Sequence, residues 1–269
     1  MLFEIGQTYN RRGDIHDRFG GQRQGGISTP SDERLIFLFT GESGQQYGYR
    51  DGWSEDGVFL YTGEGQKGDM AFVRGNRAIR DHVADGNDLL LFQSLGKGHG
   101  CRYVGQFDCA SFEERRGSDV DGADRKVIVF HLISMEEDPA AGETVPDRPA
   151  FDIDELRRRA LEAGSSNPAP ASPKVARALY HQRSEAVRQY VLARADGTCE
   201  ACGKPAPFQR RDGTPYLEPH HIRRLSDGGP DHPRWVGAIC PNCHRQIHHG
   251  DNGDALNLEL ENLLGRLEL

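Results

Sequence analysis

Two Cys-x2-Cys pairs, Cys199 with Cys202 and Cys240 with Cys243, constrain this chain more than any other feature. Two intervening residues let each pair grip one edge of a tetrahedral ion, and four thiolates then close the intervening chain into a loop. A module of this size has little apolar surface to bury, and structural zinc supplies folding energy that it otherwise lacks. In an intracellular chain such pairs point to zinc rather than to disulfides. The bland alternative, four unconnected cysteines, would need the spacing to be chance. The other two cysteines, Cys101 and Cys109, read as ordinary residues of a strand region.

The second pair opens CPNCHRQIHHG, residues 240–250, and six of the eleven histidines lie between His220 and His249. His244 and His248 are four apart on an expected helix, so they share a face and can chelate one ion. Upstream, LEPHHIRRL sets His220 beside His221 in an extended segment. Adjacent strand residues point to opposite faces, so one of the two can bind a metal while its neighbour turns to water or substrate. His232 and His249 read as ordinary polar residues.

A chain of 269 residues is long for one core and comfortable for two modest domains. No stretch approaches the ~20 apolar residues of a membrane span, and MLFEIGQTYNRR lacks the basic and apolar regions of a signal peptide. The expectation is a reduced, cytoplasmic protein with no membrane partner. The net charge of −8 argues weakly against nucleic acid, yet binding depends on local patches. From Lys174 to Arg211 there are eight Lys or Arg against three Asp or Glu, and arginines cluster at Arg11, Arg12, Arg18 and Arg23. By themselves these arginines read as a solvated face.

The first half reads as β-rich, with apolar or alternating runs at 34–41, 58–63, 88–95, 101–109 and 126–135 between Gly- and Asp-rich turns. A helix is expected near 75–83. Strands at this spacing suggest a closed or strongly curved barrel. After Met135 the composition shifts to Pro, Ala, Gly, Ser and acids. That segment reads as a linker with a short embedded helix at DIDELRRRALEAG, followed by a longer helix ending at Gly197. The fold class is thus α+β, with an N-terminal barrel domain at 1–136, a helical linker at 137–172 and a zinc-stabilised domain at 173–269.

The ordered elements CEAC, EPHHI, SDGGPDHP and CPNCHRQIHHG resemble the HNH nucleases of the ββα-metal fold, in the branch with an HH…HxxxH core. The resemblance implies that His220, His244 and His248 bind a catalytic divalent metal and that His221 is the general base. A neutral imidazole near its ~6.5 pKa accepts a proton from water at physiological pH. Three imidazoles suit Zn2+, Ni2+, Co2+ or Mn2+ better than Mg2+. One departure stands out: the family's middle asparagine, which braces the loop around the base, is replaced by Trp235, nine residues before His244. Asp231 is a candidate substitute brace.

The stretch GYRDGWSEDGVFLYTGEGQKGDM interleaves Tyr49, Trp53 and Tyr61 with Asp51 and many glycines. Turn glycines and half-buried strand aromatics would account for it. The same ingredients also make a flipped-base pocket, with aromatics for stacking and a carboxylate for cytosine's amine. The stretch resembles the SRA (YDG) domain, which flips modified cytosines out of duplex DNA. That resemblance implies a base pocket from Tyr49, Asp51, Trp53 and Tyr61, with Asp56 as the alternative acid. It further implies a DNA-intercalating loop in FGGQRQGGI with Gln24 as the intruding residue beside Arg23. Together the two resemblances imply a modification-dependent restriction endonuclease acting on double-stranded DNA that carries 5-methylcytosine, with 5-hydroxymethylcytosine as a second candidate mark. The alternative is a non-catalytic reader with a zinc docking module. Leu256, Leu260, Leu263, Leu264 and Leu267 fall at helical spacing. They can pack on their own domain or form a homodimer contact.

Overall fold

A computed structural model describes residues 3–41, 51–135, 152–165, 169–222 and 232–268. The chain divides into two compact units, 1–138 with 167–180, and 139–166 with 181–269.

In the first unit β1 (Thr8–Tyr9) leads into a π-turn, Arg11–His16, and a short α1 (Asp17–Phe19). Asn10 caps that turn through Oδ1, which accepts from the Arg12 and Gly13 amides, while Asp14 accepts from the Asn10 amide. Then follow β2 (Ile27–Ser28), β3 (Leu35–Thr40), β4 (Gly52–Trp53), β5 (Phe59–Thr62), α2 (Arg74–Asp85), β6 (Asp88–Ser94), β7 (Cys101–Ser118) and β8 (Asp124–Ser134). The sheet order is β2-β3-β6-β7-β8-β5-β4, with β1 paired to β7 off this path. β3 and β6 run parallel, and the other pairings are antiparallel.

β3 (LIFLFT) is an unbroken apolar run because both its faces are covered. Ile36 and Leu38 enter a core with Ile79 of α2, Leu89, Leu91, Phe107 and Phe130. Phe37 and Phe39 point the other way, into an aromatic cluster with Phe3, Phe19 and Phe92. Each fully buried side chain of this kind contributes roughly 1.5–3 kcal/mol relative to exposure.

The expected barrel closure is not found. Among the described residues no pairing joins the edge strands β2 and β4. Curvature comes instead from bulges in β7, one near Val104 against β6 and one at Ala110 against β8. Side chains, not a backbone ladder, bridge the open edges. Tyr61 donates its hydroxyl to the Gly26 carbonyl at 2.7 Å, and Thr40 donates to Asp51 Oδ2 at 2.7 Å. Residues 169–180 also belong to this unit, where Ala176 and Tyr180 pack against Val58, Ala110 and Ile133.

The second unit holds α3 (Ile153–Ser165), most of α4 (Pro173–Ala195), β9 (Glu218–His221), β10 (Val236–Ile239), α5 (Pro241–His249) and α6 (Gly253–Leu267). The segment 137–172, expected as a linker, contributes more than reach. Its helix α3 buries Leu156 and Ala160 in the same core as Val187, Val191, Ile222, Ile239, Leu260 and Leu264. Of the α6 leucine stripe, Leu260 and Leu264 are buried in this core, while Leu267 is exposed. An ion network ties the unit together. Arg194 donates to both oxygens of Glu200, to Glu268, and to the carbonyls of Pro233 and Val236. Among the described residues no helix is long and apolar enough to cross a membrane.

Candidate metal and nucleic-acid sites

The strand pair β9–β10 and helix α5 form a ββ-hairpin followed by a helix. Its register sets Gly237 opposite His220 and Val236 opposite His221. Cys240 follows β10 at the N-cap position of α5, with Pro241 at the first helical position, where its missing N–H costs nothing. The helix starts inside the second cysteine pair for this reason, and it points His244 and His248 to one side.

Sγ atoms of Cys199, Cys202, Cys240 and Cys243 lie within 4.8 Å of one another. The Cys240 amide donates to Cys199 Sγ at 3.2 Å, as in a metal knuckle. Gly203 turns the first knuckle at φ +68°. Burial pushes the Cys199 and Cys243 thiols above their ordinary pKa. Four facing sulfurs thus favour thiolates only if a cation offsets the charge, and this all-sulfur donor set fits zinc.

His220, His244 and His248 each offer a ring nitrogen, and these nitrogens also lie within 4.8 Å of one another. Ring centroids are 4.9–5.2 Å apart. His220 is fully buried. His244 Nδ1 bonds Glu218 Oε2 at 2.5 Å, and its buried Nε2 has no hydrogen-bond partner among the described residues. An imidazole held at one nitrogen by a carboxylate, with the other left open, fits a metal ligand. His220 Nε2 faces Asn257 Oδ1 at 3.0 Å, leaving Nδ1 for the same cluster. His221 is half-buried on the opposite face of β9.

Glu218 and Asn257 were not legible as site residues. Glu218 could have been found, since it stands two residues before His220 and a strand places such residues on one face. Asn257 carried no signal, because the α6 pattern shows only its leucines. Trp235 contributes backbone to this region. Its carbonyl accepts from the Ile222 amide at 2.9 Å, while its ring lies under the Arg234 guanidinium. Asp231 lies outside the described residues.

In the first unit Asp51 accepts from the Thr62 amide at 2.8 Å and from Thr40 Oγ1. Burial raises its pKa, opposed by these bonds. Trp53 is 53% exposed and meets Phe59 edge-on, whereas Tyr61 is 2% exposed and held to Gly26. Tyr49 lies outside the described residues. Arg23 and Gln24 are exposed, Arg23 pairing with Asp17.

Arg11 corrects the reading of the arginine cluster as a solvated face. Its guanidinium lies 3.6 Å from the Phe39 ring centroid and donates to the Gly25 carbonyl at 2.7 Å. Burial lowers its pKa. Arg11 and Tyr61 thus pin the glycines at one end of the loop that carries Arg23 and Gln24. A Cβ at Gly26 would stand 2.8 Å from the Tyr61 hydroxyl, so no other residue fits there unless that bond shifts.

Comparison with known proteins places these features. The E. coli K12 protein "Type IV methyl-directed restriction enzyme EcoKMcrA" is 47% identical over 74 residues, which is 28% of this chain and 27% of that protein. The chain therefore spans well under two thirds of that curated relative. The structure of "the Type IV phosphorothioation-dependent restriction endonuclease ScoMcrA" aligns at 25% identity and TM-score 0.42, covering 98% of this chain and 63% of that one. The modification-dependent TagI restriction endonuclease aligns at 20% identity and TM-score 0.37, covering 92% of this chain and 78% of that one. The HNH endonuclease family model matches residues 199–250, the span that holds both metal-ligand clusters. The model of the ScoMcrA-like SRA domain matches residues 5–148, more than half of the chain. This chain belongs to the ScoMcrA-like SRA domain family and joins that domain to an HNH endonuclease domain.

Proposed function

We propose that the chain is a modification-dependent restriction endonuclease, with a reader at 1–136 and a nuclease at 173–269 joined by residues 137–172. The carrying observation is the convergence of His220, His244 and His248 with His221 on the opposite strand face. A divalent ion held by the three histidines supplies a positive charge for the scissile phosphate and the departing oxygen. His221 takes the proton from the attacking water. Glu218 orients His244 through Nδ1. The four cysteines hold a structural Zn2+ apart from this chemistry.

In the reader, Gln24 enters the duplex, with Arg23 beside it for phosphate or base contacts, from a loop fixed at its end by Arg11 and Tyr61. Asp51 accepts from the amine of the flipped base, with Tyr49 and Trp53 as stacking partners. Unstacking costs a few kcal/mol, which contacts to the mark must offset. The methyl-directed relative agrees with 5-methylcytosine as that mark, and 5-hydroxymethylcytosine is the second candidate.

Digestion of methylated and unmethylated copies of one plasmid with Mn2+, Co2+, Ni2+ or Mg2+ tests the reading. Cleavage of the methylated copy alone is expected. Equal cleavage removes the dependence on methylation, and no cleavage of either leaves the non-catalytic reader with a zinc docking module. His221→Ala is expected to abolish cutting while DNA binding persists, and retained full activity would show that the base is misassigned.

A further inference from the structure

We propose that Asn257 is the positioning residue of the nuclease site, doing from α6 what no asparagine at position 235 can do. The inference rests on the nuclease reading above. Asn257 makes two bonds. Nδ2 donates to the Ile222 carbonyl at 2.6 Å, and Oδ1 faces His220 Nε2 at 3.0 Å. The two contacts fall on the residues either side of His221, so one amide clamps both flanks of the base. The Ile222 amide is bonded in turn to the Trp235 carbonyl, which leaves the backbone at 222 fixed through both its N–H and its C=O.

The amide also fixes a proton. A carbonyl only accepts, so the NH2 of Asn257 must face Ile222 and its oxygen must face His220. His220 therefore carries its hydrogen on Nε2 and presents the Nδ1 lone pair to the cluster with His244 and His248. Inverting the amide would set two oxygens against each other at 2.6 Å. Glu218 does the same for His244 in the opposite sense, holding Nδ1 and freeing Nε2.

The reach of Asn257 is set by the core. It lies three residues before Leu260, on the same side of α6. Leu260 is buried against Gly237, the residue paired with His220. A Cβ at Gly237 would stand 3.1 Å from Leu260 Cδ2, so glycine there lets α6 come close enough for the clamp. The leucine stripe thus delivers a polar side chain to the metal cluster.

Two variants separate the two bonds. Asn257→Ala loses both. Asn257→Asp keeps an acceptor for His220 but has no donor for Ile222. The full chain, with zinc loaded in its four-cysteine site, is titrated calorimetrically with Co2+, and His220 is followed by long-range 1H–15N correlation, which reports the protonated ring nitrogen. Loss of a partner behind a metal-bound histidine weakens metal affinity by about 10–100-fold, and that loss is expected for Asn257→Ala, together with mixed His220 tautomers and loss of cleavage. Asn257→Asp, which sets a second oxygen against the Ile222 carbonyl, is expected to keep the Nε2–H tautomer through its remaining acceptor yet lose cleavage at saturating metal.

Wild-type Co2+ affinity and tautomer in a folded Asn257→Ala overturn the proposal. So does full cleavage by Asn257→Asp, which decides the matter if the alanine variant fails to fold. If the wild-type chain cuts no DNA, the nuclease reading fails, but the Co2+ and tautomer readouts still test the clamp on His220.

Discussion

Replacing Arg194 by alanine tests the energetics of the second unit. The guanidinium sits between Glu200, at 2.8 and 2.9 Å, and Glu268, at 2.8 Å, and also serves the Pro233 and Val236 carbonyls. The side chains of Arg194, Glu200 and Glu268 are 10%, 7% and 0% exposed. Burial alone would lower the arginine's pKa, and the bonds to Glu200 and Glu268 override it, so the cation stays charged. Alanine leaves two buried carboxylates to share what remains. Glu268 keeps Arg157 and Tyr190, and Glu200 keeps the Ala238 amide. Removing one member of a buried pair costs about 3–5 kcal/mol, and the residual partners favour the lower figure. At roughly 4–8 °C per kcal/mol for a unit of about 100 residues, Tm should fall by about 12–24 °C. Scanning calorimetry with excess zinc reads this as a shift of one transition, the first unit's being unchanged. Arg158→Ala is the control, since among the described residues the ion pairs of that exposed arginine run along its own helix to Glu155 and Glu162, and its loss should shift nothing. A fall for Arg194→Ala below about 5 °C would place the network with ordinary surface pairs and refute the reasoning.

Cys202→Ser, or a strong chelator, should abolish the second unit's cooperative unfolding and lower bound zinc, leaving the first unit's transition in place; an unchanged melting profile argues against a structural metal. Asp51 has its folded pKa raised by burial, so its contribution to stability is present below the unfolded value and lost as pH rises through the folded one. Asp51→Asn, whose amide can still meet the Thr62 amide and Thr40, should therefore raise Tm at pH 7 while weakening binding to methylated duplex; a lower Tm at pH 7 contradicts this. His131 is buried between Ser111 Oγ and Glu113, and burial, opposed by Glu113, lowers its pKa. Its stabilisation is complete above the unfolded value of about 6.5 and is lost as pH falls below it toward the folded pKa. The urea midpoint of the first unit should drop between pH 7.5 and 5.0, and His131→Gln should flatten that slope.

The elements whose residues state their own period were legible. The runs at 34–41, 58–63 and 88–95 are β3, β5 and β6, and the expected helix at 75–83 is α2. β7 was read only to Cys109, because EERRGS beyond it looks like a solvated turn. There the strand continues as an exposed hairpin with β8, where Arg116 and Lys126 pair across the ladder. Barrel closure could not be read, since it depends on which edges meet and not on any strand's composition. The cysteine and histidine clusters were visible because ligand spacing is local. Arg11 and Asn257 were not, because each reaches its partner through tertiary packing that leaves no trace in the adjacent sequence.

The placement of Asn257 and Glu268 has a consequence in time. A chain emerges from its N-terminal side and its units fold as they become complete. The sheet of the first unit has all its strands once β8 is made, whereas the histidine cluster waits for α6 to bring Asn257, and the Arg194 network waits for Glu268. The first unit, which takes in residues up to 180, is therefore complete before the second, and the proposed cutting site is unfinished in a nascent chain until α6 has docked.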